Sequence, residues 1–167
     1  MKVYIIFFLT CLILSYFPTI GIGQTNTIDT KRLQEVISKI KNEKFEITTK
    51  TKNIPRFVKR ELRKIDKVKF KIAKAGGNFN SSDVIDNKSW PNKRIIFLAY
   101  NEDVYVLLYE QGGISRNYYG RVIDHKKNSS DCIFTFIMPP HKDFEEFKYF
   151  VENEKWLKIV KEKSKCF

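Results

Sequence analysis

Apolar residues recur along the chain with two different periods, and the change of period divides it. Leu33, Val36, Ile37 and Ile40 fall at three- and four-residue steps, the spacing that lines up side chains on one face of an α-helix. This predicts an amphipathic helix from Asp29 or Thr30 to about Asn42. A second helix is predicted to open near Asn53, which can cap it, with Pro55 in the first turn where a missing amide donor costs little. Ile54, Val58, Leu62 and Ile65 form its inner stripe with Phe57 beside them, and Arg56, Lys59, Arg60, Arg63 and Lys64 fill the rest of its surface. Beyond it the period becomes two. Val68, Phe70 and Ile72 alternate with Lys67, Lys69 and Lys71, which predicts a strand with one apolar and one lysine face.

Gly76-Gly77 and a polar stretch to Asn92 interrupt the pattern, with Asp83 to Asp86 as a candidate short edge strand. The strongest strand signal follows: Arg94 to Tyr100 and Asp103 to Tyr109, separated by Asn101-Glu102, read as a hairpin. If Tyr100 faces Asp103, Ile95, Phe97, Ala99, Val104, Val106 and Leu108 share one face, and Ile96, Leu98, Tyr100, Tyr105, Leu107 and Tyr109 the other. Both faces are apolar, so both are expected to be covered. Gly112-Gly113 turns the chain into Arg116 to Asp124, and a further turn leads to Cys132 to Met138. Pro139-Pro140 closes the run, and Asp143 with Glu146 forms a capping-box pattern before a helix with Phe147, Phe150 and Val151 inward. The expected fold is α+β: an antiparallel four- to five-stranded meander sheet with two N-terminal helices and a C-terminal helix packed on it.

The first residues read as an address rather than as fold. Met1-Lys2, the apolar run Val3 to Phe17, then Pro18, Gly21 and Gly23 have the layout of a signal peptide, residues 1–23, cleaved after Gly23. Residues 24–167 then form a single α+β domain, secreted or periplasmic. The competing reading is an uncleaved membrane anchor over the same run. This apolar leader before a Lys-, Ile- and Asn-rich domain resembles, in composition alone, exported proteins of AT-rich bacterial genomes, a resemblance that carries no functional residue.

Export makes the thiols informative. Cleavage leaves Cys132 and Cys166, an even pair in an oxidising compartment, which predicts a disulfide between them. His125, Cys132, His141 and Cys166 lack the close ligand spacing of structural zinc, so no metal site is expected. Sequons at Asn80, Asn87 and Asn128 would matter only in a eukaryotic secretory path.

Catalytic motifs are not found: the chain has no nucleophile elbow, phosphate loop, dinucleotide fingerprint or His-Glu-x-x-His pair. The isolated glycine pairs read as turn devices. No catalytic residue and no cofactor is assigned.

Charge is the feature above background. The 167 residues carry 31 Lys and Arg against 19 Asp and Glu, a net of +12. Between Lys50 and Lys74 eleven basic residues face only Glu61 and Asp66, so most of the excess lies in one helix–strand unit. Like charges packed this densely repel unless something anionic is near. Lys59, Arg60, Arg63, Lys64, Lys67, Lys69 and Lys71 are therefore the expected binding surface of a non-enzymatic, inhibitor-like module. Its partner would be an acidic protein or an envelope polyanion. Nucleic acid is disfavoured by export and by the absence of its recognition motifs, and a membrane enters only as anchor or peripheral surface. The alternative is a small-ligand pocket on the aromatic hairpin face, lined by Tyr105, Tyr109, Tyr119 and Glu110.

Overall fold

The computed structural model describes residues 30–66, 69–126, 129–138, 140 and 143–152. The helical stripe of the N-terminal segment forms α1, Thr30–Asn42. A three-residue strand β1, Glu46–Thr48, and a 3₁₀ turn, Thr51–Asn53, lead into α2, Arg56–Asp66. Four long strands follow, β2 (Lys93–Tyr100), β3 (Val104–Gln111), β4 (Asn117–Lys126) and β5 (Ser129–Met138), then α3, Phe144–Glu152. The strands pair in chain order as one antiparallel five-stranded sheet. The fold is α+β.

Helices cover both faces. On one, Leu33, Val36, Ile37 and Ile40 of α1 and Phe144, Phe147 and Val151 of α3 pack on Phe97, Ala99, Val104, Val106, Leu108 and Val122. On the other, Ile54, Val58 and Leu62 of α2 and its approach, with Phe70, pack on Ile95, Leu98, Leu107, Tyr109 and Ile123. Each such side chain contributes about 1.5–3 kcal/mol on burial, which is why two-sided apolar strands and one-sided helices fit together. Asp143 Oδ1 accepts the Glu146 amide at 2.9 Å and so caps α3, with the residue types the capping pattern named.

Several expectations are corrected. Tyr100 pairs with Tyr105, not Asp103, because Asn101 Oδ1 accepts the amides of Asp103 and Val104 and so builds a longer turn. The shift is by two residues, which preserves the faces. A bulge at Ile96 does not preserve them: Ile95 pairs with Tyr109 while Phe97 pairs with Leu108. Ile95 therefore lies with Leu98 and Tyr109, and Ile96 with Phe97. Residues 69–72 form no strand. They keep the alternation, Phe70 buried between exposed Lys69 and Lys71, but only Ala73 bonds the sheet, exchanging backbone bonds with Lys93 and Ile95 beside the edge of β2 that β1 also occupies. Asp83–Asp86 is not a strand either, the nearest pairing being one bridge from Ser82 to Gly113. α2 begins after Pro55, whose carbonyl accepts the Lys59 amide, and Asn53 instead donates to Thr48 Oγ1 at 3.2 Å.

Candidate functional site

The helical period of α2 separates its sides sharply. Val58 and Leu62 are sealed against the sheet, whereas Arg56, Arg60, Arg63 and Lys64 are exposed and Lys59 is half-buried. Phe70 joins the same apolar cluster as Val58 and Leu62. Its neighbours Lys69 and Lys71 are exposed, so they extend the cationic outer layer that α2 begins. Lys67 lies outside the described residues.

The acids of this stretch are turned away from that surface. Glu61 is buried on the inner side of Lys64 (2.9 Å) and Arg60 (3.7 Å). Asp66 accepts a hydrogen bond from Lys93 Nζ at 2.7 Å and lies 3.7 Å from Arg121. Arg56, Lys59, Arg63, Lys69 and Lys71 make no ion pair among the described residues. Chemically, the layer can hold a multiply charged anion by many exposed contacts, each salt-sensitive.

Beneath it lies a buried polar cluster. Arg121 Nε donates to the Tyr109 hydroxyl at 3.1 Å, and Arg121 also reaches Thr135. Lys93 Nζ sits 5.4 Å over the Phe70 ring. Burial pushes the Tyr109 phenol up to about 12, with the adjacent Arg121 cation opposing the shift. Asp66 thus serves two buried cations and joins α2 to β2 and β4. The signal for this cluster is Arg121 inside strand sequence and Lys93 at the head of an apolar strand. Their common partner could not be read from spacing.

The four candidate pocket residues do not line one space. Tyr109 and Tyr119 stack at 5.7 Å on the α2 face, and Tyr105 packs further along it against Phe57, Tyr100 and His125. Strand alternation sends Glu110 to the opposite face with Leu108 and Tyr118. There its buried carboxylate accepts Arg94 on one oxygen and Arg116 on the other, and both guanidiniums lie over Phe79, 4.5 and 5.8 Å from its centroid. Glu110 acts as a clamp for the 78–92 loop.

Cys132 stands on β5 opposite Ile123, and Cys166 lies outside the described residues, as do His141 and Asn128. No three His, Cys, Asp or Glu side chains converge as metal ligands among the described residues. His125 stacks on Phe57 at 3.9 Å, and its buried Nδ1 has no hydrogen-bond partner among them. No helix of the described residues is long and apolar enough to cross a membrane. Asn80 is buried, its side chain bonded to the backbone of Asn87 and Trp90, so in the folded chain this sequon is a loop staple.

Comparison with protein-family models, with curated proteins and with solved structures found no match.

Proposed function

We propose that this chain is an exported, non-enzymatic binding module that docks an anionic partner on the outer layer formed by α2 and residues 69–74. One observation carries the reading: Arg56, Arg63, Lys69 and Lys71 face solvent with no ion pair among the described residues, while both acids of the stretch, Glu61 and Asp66, are engaged with other cations. A layer made only for solubility gains nothing from withdrawing its acids, whereas a polyanion is attracted by the charge left uncompensated. Affinity for a polyanion such as poly-L-glutamate should fall steeply with salt. It should also fall by about tenfold or more in the triple variant Arg60→Glu, Arg63→Glu, Lys69→Glu, with the fold retained, since exposed substitutions typically change stability by under ~0.5 kcal/mol each. Affinity indifferent to both would overturn the reading.

A further inference from the structure

A cavity of about 440 Å³ opens where the chain passes from β1 into α2, lined by Glu46, Ile47, Thr48, Thr49, Lys50, Asn53 and Tyr100. We infer that it is the seat for one residue of an acidic oligosaccharide, so that the anionic partner proposed above is an acidic glycan. This rests on that proposal and narrows its partner to one class.

The size falls within the range of about 300–1,000 Å³ usual for small-ligand sites. The lining is five polar side chains to two apolar ones, the reverse of the apolar pocket that receives a protein hot spot. Tyr100 is fixed on both sides: its ring stacks on Tyr105 at 5.7 Å, and its hydroxyl donates to Glu46 at 2.6 Å. With Tyr105 occupying one ring face, Tyr100 serves as a wall for a sugar rather than a platform between stacked bases.

Thr48 Oγ1 is already committed, accepting from the Lys50 amide and from Asn53 Nδ2, both at 3.2 Å. That bond orients Asn53 so that its Oδ1 remains without a partner among the described residues, as do the Thr49 hydroxyl and Lys50 Nζ. Beside the Glu46 carboxylate, which the Tyr100 hydroxyl engages, the lining offers an acceptor, a hydroxyl and a cation, a set that suits a ring carrying hydroxyls and one carboxylate. Arg56 follows Asn53 by three residues, so their α-carbons are at most ~11 Å apart. The exposed cations Arg56, Arg60, Arg63 and Lys64 of α2 thus begin close to the cavity and supply charge for the rest of a linear polyanion.

Titration of the full chain with tetragalacturonate, maltotetraose and a poly-L-glutamate of matched charge tests this. The uronate should bind about tenfold or more tightly than either comparison probe. Asn53→Ala and Thr49→Val, both at exposed positions, should bring the uronate down to the level of poly-L-glutamate while leaving the latter unchanged. The triple charge reversal should weaken both anions. A uronate preference that is absent, or that survives both cavity substitutions, overturns the inference while the basic-face reading stands. Equal binding of maltotetraose overturns its acidic part. Anion affinities untouched by the charge reversal overturn the basic-face reading instead.

Discussion

Tyr109 shows how one buried residue makes stability depend on pH. Its phenol ordinarily loses its proton near 10.0, and burial raises this to about 12. Between these values the folded state keeps a proton that the unfolded chain has released, so the contribution is full below pH 10 and is lost as pH rises toward 12. Two units correspond to about 2–3 kcal/mol. Urea unfolding should show this loss on the alkaline side, and Tyr109→Phe should flatten it. Asp66 acts through its two cationic partners. Replacing it with Ala strands Lys93 and Arg121, both 6% exposed, and removing one partner of a buried ion pair costs about 3–5 kcal/mol. A smaller loss than about 1 kcal/mol in equilibrium unfolding would show that water reaches the two cations. Gly112 is a steric case. A Cβ there would lie 2.0 Å from the Asn80 carbonyl oxygen and 2.6 Å from the Ser81 carbonyl carbon. Its glycine pair was legible as a turn device, but the crossing backbone that forbids any side chain was not, because the contact joins positions far apart in sequence.

α1, α2 and the strands of the meander were legible because each buries its apolar residues with its own period. What escaped was whatever that period does not encode. β2 is apolar on both sides from Ile95 to Ala99, so alternation there marks no face, and the bulge at Ile96 leaves no trace in the pattern. The bulge nevertheless decides where charges go: it puts Lys93 on the α2 side with Asp66, and Arg94 on the other side with Glu110. Deleting Ile96 leaves Phe97 opposite Leu108 and Ile95 opposite Tyr109 in unbroken alternation, so Lys93 and Arg94 should keep their faces and the loss should not exceed the packing of one isoleucine, about 2–5 kcal/mol. Ile96→Val keeps the bulge and should cost only about 0.5–1.5 kcal/mol. Urea midpoints of the two variants check both values. The segment after α2 shows the converse error. Alternation there predicts a strand, yet at 69–72 it reflects only Phe70 facing the core between two solvated lysines, with backbone bonds to the sheet at Ala73 alone. The small strand β1 carried too few residues to show any period, and the cavity beside it depends on Tyr100 pairing with Glu46 across 54 positions.

The charge of the whole molecule ties its stability to the surface proposed for binding. With a net of +12, repulsion opposes compaction, and it is concentrated where Arg56 and Arg60, Lys59 and Arg63, and Arg60 and Lys64 stand four apart on α2. Each such like-charge helix pair costs about 0.2–0.5 kcal/mol at low ionic strength, so relieving all of them is worth on the order of 1 kcal/mol. Shortening the Debye length from ~30 Å at 0.01 M salt to ~8 Å at physiological strength screens this repulsion. The melting temperature of the chain should therefore rise by about 2–4 °C over that range, while polyanion affinity falls over the same range. The triple reversal at Arg60, Arg63 and Lys69 should remove most of this rise, because it turns all three repulsive α2 pairs into attractive ones. A melting temperature that rises equally in both proteins would place the repulsion elsewhere on the surface, and with it the charge available to a partner.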